Sequence, residues 1–166
     1  MQNIFTLLFC AILALITYYD FKYRAVPLYI LVIAVIFGML VSIFKNGFSG
    51  ALYYAGVNIF LVIIQLVLTT LYFSIRNKKL TNIINSYLGS GDVLFFLVVI
   101  FCFSPVNFII FIILSGLLIL IFYAPSKKRN LIPLAGCQSI LMCIILYFSN
   151  VFKIIQPYND FFLINL

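Results

Sequence analysis

The 166-residue chain carries three acidic side chains, Asp20, Asp92 and Asp160, with no Glu and no His. Any side-chain acid–base chemistry at neutral pH therefore has a very short list of candidates. Two carboxylates that meet can act as a dyad. One, ionised, takes a proton from water as general base. The other, protonated, polarises a peptide carbonyl and then donates to the leaving nitrogen. Around the first acid the chain reads Asp20-Phe21-Lys22-Tyr23-Arg24-Ala25-Val26-Pro27, and around the second Gly89-Ser90-Gly91-Asp92.

The residues beside each acid suggest how it is presented. Pro27 presets φ for the first turn of a following helix, where a missing N–H costs nothing. The basic residues Lys22 and Arg24 lie in a tight turn before it. Gly89 and Gly91 free the backbone to enter a helix at a sharp angle and admit a close neighbour. Asp92 then stands at a helix N-terminus, where the dipole favours its ionised form, and Asp20 at a C-terminal end, where it does not. Asp20 is thus the expected proton holder, opposed by Lys22 and Arg24. Taken singly, each acid has a plainer reading. Asp92 would be an N-cap, and Asp20 a neutralising partner for Lys22 or Arg24. Asp160 follows Asn159 in the last stretch of the chain and is read as a solvated surface group.

The elements that position these groups are membrane helices. Hydrophobic residues make up 66% of the chain and charged ones 8%, with mean hydropathy +1.28. Water-soluble domains carry about 25% charged residues, so a soluble fold, a disordered chain and a nucleic-acid-binding domain are all excluded, despite the net charge of +7. A span needs about 20 apolar residues, with about 17 tolerated. The expected fold is an all-α polytopic bundle of six transmembrane helices. They cover Asn3 to Tyr19, Val26 to Phe44, Ala51 to Ile75, Val93 to Ser104, Val106 to Ala124 and Leu131 to Ser149. Ser104-Pro105 divides the fourth from the fifth, because the residue before a proline avoids the helical region. Residues 1–150 form the transmembrane domain, and 151–166 a short exterior tail.

Charge sets the orientation. Lys22, Arg24, Arg76, Lys78, Lys79, Lys127, Lys128 and Arg129 fall on one side of this topology, and Lys45 and Lys153 on the other. Basic loops face the cytoplasm, so both termini lie outside and Asp20 and Asp92 share the cytoplasmic face. The Lys127-Lys128-Arg129 run reads as an orientation signal attracted to anionic lipid headgroups. Thr81 to Tyr87 suggests a short interfacial helix. Small residues at Ala51, Ala55 and Gly56, and at Ser115 and Gly116, suggest close helix packing. Asn58, Gln65 and Gln138 read as interhelical hydrogen-bonding groups, with a solute path as the alternative. Cys10, Cys102, Cys137 and Cys143 read as core packing, with no zinc site or disulfide framework.

The two aspartate stretches resemble those of the type IV prepilin peptidases and the related preflagellin peptidases, membrane aspartyl proteases with a Gly-x-Gly-Asp motif. Gly89, Gly91 and Asp92 match that motif. Asp20, Lys22, Arg24, Val26 and Pro27 match the basic turn after the first catalytic helix. Ile132-Pro133-Leu134 is similar to the start of the family's last core helix. The likeness extends over residues 1 to 150. It implies Asp20 and Asp92 as the catalytic pair, with Gly89 and Gly91 shaping the loop and Lys22, Arg24 and Pro27 in the adjoining substrate-side turn. It implies no cofactor and no metal. The implied activity is removal of leader peptides from prepilin-like proteins at the cytoplasmic face of the inner membrane. Leu28 and Leu94 depart from the Asn and Lys that the family often has there. The family's cysteine-containing cytoplasmic insert is absent, so N-methylation is not expected. Two other classes of function compete: a silent membrane scaffold of a pilus or secretion assembly, and a small transporter.

Overall fold

The computed structural model describes residues 2–79, 89–123, 133–151 and 156–160, and among them it is all-helical. Helix α1 is Gln2–Tyr23, α2 Leu28–Asn77, α3 Ser90–Ile100, α4 Pro105–Tyr123 and α5 Leu134–Val151. Helix α2 is one element only in name. At Gly47 the backbone turns to φ 73, ψ 170, a conformation that glycine reaches without the Cβ penalty. The limbs 28–46 and 48–77 correspond to the second and third expected segments. Ser104-Pro105 separates α3 from α4, as the sequence indicates.

The boundaries differ in instructive ways. Helix α1 runs a turn beyond Asp20, so Lys22 is helical and lies outside the connecting turn. The chain leaves α1 at Arg24, whose φ of 55 is left-handed and whose N–H still reaches the Asp20 carbonyl at 3.1 Å. Pro27 is the residue before α2, one position outside its first turn, and its carbonyl accepts the Ile30 N–H at 3.0 Å. Helix α2 ends in a Schellman arrangement. Lys78 takes φ 53, and the N–H groups of Lys78 and Lys79 return to the carbonyls of Ile75 and Ser74, satisfying acceptors that a helix end otherwise leaves open. Thr81 to Tyr87 and Lys127-Lys128-Arg129 lie outside the described residues.

The exterior is as apolar as the core. The outer faces are apolar, with Leu120 and Ile121 of α4 each 64% exposed, while Asn58, Ser104, Ser115, Gln138 and Ser139 are buried. Hydrocarbon is the solvent that suits such an exterior, because it leaves polar groups no partner but one another. Helix Leu28–Asn77 and the stretch Ile4–Tyr23 of α1 are long and apolar enough to cross a membrane. The core holds Phe9, Leu13 and Ile16 of α1 against Phe95, Val98 and Val99 of α3 and Met142 and Leu146 of α5.

Two buried amides join the helices. Asn58 donates through Nδ2 to the carbonyls of Ile100 and Phe103, at 2.9 and 2.8 Å. It thereby closes the end of α3 where the break before Pro105 leaves acceptors without intrahelical donors. Gln138 donates to Ser115 Oγ at 3.3 Å. Of the small-residue faces, Ala51, Ala55 and Ser115 are buried. Gly56 and Gly116 instead face outward with nothing within 4 Å of where a Cβ would stand, so neither is a close-packing contact.

At the far end of the bundle the chain returns to the α3–α4 break. Ser104 N–H donates to the Pro157 carbonyl at 2.9 Å, and Asn107 Nδ2 reaches the carbonyls of Gln156, Pro157 and Asn159. Asp160 is more than a solvated surface group. Its Oδ1 accepts the Val106 N–H at 3.0 Å, placing a carboxylate on the N-terminal turn of α4, where the helix dipole favours it.

Candidate functional site

Asp20 sits near the C-terminal end of α1 and Asp92 in the first turn of α3. Neither plain reading accounts for the pair by itself, because Asp92 also bonds α5 and Arg24 acts on Asp20 only by charge from an exposed position. The residue before α3 is Gly89, with extended φ and ψ and no side-chain cap; Asp92 is the third residue of the helix. Its N–H returns to the Gly89 carbonyl at 3.0 Å, and its side chain reaches across to α5 with one oxygen while the other stays against Gly89. Lys22 does not serve Asp20 either. Its amino group donates to Tyr18 Oη at 2.6 Å and lies 5.0 and 5.1 Å from the ring centres of Tyr18 and Tyr23.

Both carboxylates turn instead to one place, the opening turn of α5. Asp92 Oδ1 accepts the N–H of Ala135 at 3.1 Å, and Asp20 Oδ2 accepts the N–H of Gly136. These are consecutive amides, one rise of about 1.5 Å apart along the axis. Both belong to the four N–H groups that a helix start leaves without intrahelical partners. Two acids 72 positions apart in the chain are thereby brought side by side, close enough for the charge of Asp20 to act on Asp92. Asp20 is only 7% exposed, and Asp92 is half-buried. The second Asp92 oxygen, Oδ2, points toward Gly89.

The packing beneath Asp20 is continuous. Thr17 and Ser139 hydroxyls are 2.7 Å apart, and Ser139 Oγ also reaches the Gly136 carbonyl at 2.9 Å. Further along the same seam the thiols of Cys10 and Cys143 are hydrogen-bonded to each other. Helices α1 and α5 are therefore antiparallel and joined by polar contacts from their middles up to Asp20.

The glycines play unequal parts. A Cβ on Gly89 would stand 3.1 Å from Asp92 Oδ2, tighter than ordinary contact. Gly91 has nothing within 4 Å, so packing within the chain makes no demand on it. Gly136 is the most constrained. A Cβ there would lie 2.9 Å from two ring atoms of Phe21 and 3.0 Å from Asp20 Oδ2. Ala135 and Gly136 escape a reading of residue types because they contribute backbone N–H groups; the one available signal is Pro133, a helix opener followed closely by small residues. Arg24 is exposed and acts on Asp20 through its charge.

What the arrangement can do follows from its donors and acceptors. Each carboxylate gives one oxygen to an α5 amide, and the second oxygen of Asp92 lies against Gly89, whose backbone N–H also acts on it. Among the described residues no group of three or more His, Cys, Asp or Glu could hold a metal ion. No family model matches the chain, and no curated protein or solved structure matches it either.

Proposed function

We propose that the chain is an aspartyl endopeptidase of the prepilin-peptidase type, cutting leader peptides from type IV prepilin-like proteins at the cytoplasmic face of the inner membrane. The observation that carries this reading is the convergence of Asp20 and Asp92 on the consecutive amides of Ala135 and Gly136. A chain with so few acids has no packing reason to bury two of them together. Like charges at close quarters do not both ionise readily, and a shared proton is what water activation by a dyad requires.

In this reading α1, the two limbs of α2, and α3 to α5 are six spans, with both termini outside and the basic residues Lys22, Arg24, Arg76, Lys78 and Lys79 inside. One carboxylate removes a proton from water as its oxygen attacks the scissile carbonyl carbon. The other, protonated, hydrogen-bonds the carbonyl oxygen. Collapse of the tetrahedral adduct breaks the C–N bond, and the proton passes to the departing amine. The α5 amides, already bonded to one oxygen of each acid, hold the pair in place during transfer. The apolar helix of the substrate docks against lipid-facing helices by packing, since the rim of basic side chains gives a cationic leader no electrostatic steering.

Solute transport draws less support, because the NH2 groups of the buried Asn58 and Gln138 are committed to helix-joining hydrogen bonds. The test is co-expression with a pilin-like substrate, reading its new N-terminus by mass spectrometry. Asp20→Asn and Asp92→Asn, each accumulating normally, are expected to abolish trimming. Trimming at the wild-type rate by either variant refutes the dyad.

A further inference from the structure

We propose that Gly136 is a positioning residue of the dyad, its N–H and its missing side chain together setting where the Asp20 carboxylate stands relative to Asp92. This rests on the peptidase reading above only for its kinetic arm. Three observations at Gly136 meet. Its N–H is the donor to Asp20 Oδ2. Its carbonyl is reached by Ser139 Oγ, which is itself held against Thr17 of α1. The place of a Cβ is already filled by α1 atoms, Phe21 ring carbons at 2.9 Å and Asp20 Oδ2 at 3.0 Å.

Those two obstructions are separable. The Phe21 ring is 42% exposed and can be removed or swung aside. The Asp20 oxygen cannot move without leaving the Gly136 amide. If Gly136 serves merely to let α1 and α5 approach, a methyl group there is tolerated once Phe21 is cut back. If it places the carboxylate, the loss persists. Displacement of a reacting group by about 1 Å costs about 100-fold in rate. The neighbouring charges that also act on the pair, Arg24 on Asp20 and Asp20 on Asp92, are unchanged by these substitutions.

The experiment uses the full chain in detergent micelles with four versions: wild type, Gly136→Ala, Phe21→Ala and the double variant. Two readouts are taken on each. One is kcat and KM on a pilin-like substrate. The other needs no activity: labelling of Asp20 and Asp92 by a hydrophobic carbodiimide, which attacks protonated carboxyls, quantified by peptide mass spectrometry. Gly136→Ala is expected to lower kcat about 100-fold with KM little changed, and to raise the Asp20-to-Asp92 labelling ratio by at least threefold. In the double variant thermal stability returns while kcat and the ratio stay perturbed. Recovery of both by the double variant overturns the proposal, as does a Gly136→Ala protein with unchanged rate and ratio. If Gly136→Ala does not accumulate, Ser139→Ala, which adds no volume, takes its place with a smaller effect of the same sign expected; no change there overturns the proposal equally. Should Asp20→Asn retain cleavage, the peptidase reading fails, and the labelling ratio alone decides the role of Gly136.

Discussion

Replacing Asn58 by Leu keeps most of the side-chain volume and removes both donors that close the end of α3. In the structure the Asn58 amide is fully buried, and its Nδ2 serves the carbonyls of Ile100 and Phe103. Its Oδ1 has no partner, so nothing is lost on that side. Interhelical hydrogen bonds in membrane bundles are worth about 0.6 kcal/mol on average and up to about 1.7. Two of them give about 1–3 kcal/mol, which is roughly a 5- to 150-fold shift in the unfolding equilibrium. The freed carbonyls add to this, because a buried acceptor left unpaired keeps its desolvation penalty. The assay is equilibrium unfolding in mixed micelles, with hydrogen exchange of the amides near Ser104 as a local probe. Asn58→Leu should unfold at lower denaturant and expose the α3–α4 break first. A change below about 0.5 kcal/mol would refute the idea that Asn58 stabilises that break. Solute flux abolished by the same variant with stability intact would instead revive the transport reading.

Other expectations follow from single positions. Gly47→Ala meets no neighbour but forces a side chain onto φ 73, ψ 170, a region all but reserved for glycine, so thermal unfolding should show a loss of about 1–3 kcal/mol. Lys78→Gly places a residue suited to left-handed φ at the end of α2 and should raise stability by up to about 1 kcal/mol in the same assay. Gly116→Ala, on an outward face of α4 with open space around it, should gain about 0.5–1 kcal/mol; a loss would mean that this face packs against another molecule. Asp160→Ala removes the acceptor of the Val106 N–H and should cost about 0.5–2 kcal/mol, with faster exchange confined to the first turn of α4.

The candidate acids were legible because the composition left so few of them, and the residues around them announced turns. Two breaks between segments were legible too, where Lys45-Asn46-Gly47 interrupts an apolar run and where proline follows Ser104. What lay hidden was every contact made by backbone. Gly136 meets Asp20 across 116 positions and Ala135 meets Asp92 across 43, and neither donor leaves a trace in side-chain chemistry. Helix ends shifted for a related reason. The Asp20 side chain is satisfied on α5, so α1 continues through it, and Lys22 joins the tyrosines of its own helix. Gly56 and Gly116 misled because small size marks a packing site only when a neighbour is there to use it. Asp160 looked like surface because its partner, the Val106 N–H, stands 54 positions away.

The order in which the chain is made gives the α5 contacts another meaning. Asp20 and Asp92 leave the ribosome well before the amides that hold them, and Gly136 follows Asp20 by 116 residues. A nascent chain that ends with α4 has both acids and lacks the α5 amide that each of them bonds. Addition of α5 is therefore the step that brings Asp20 and Asp92 to one place, and until it is made the two acids lack the amides that hold them.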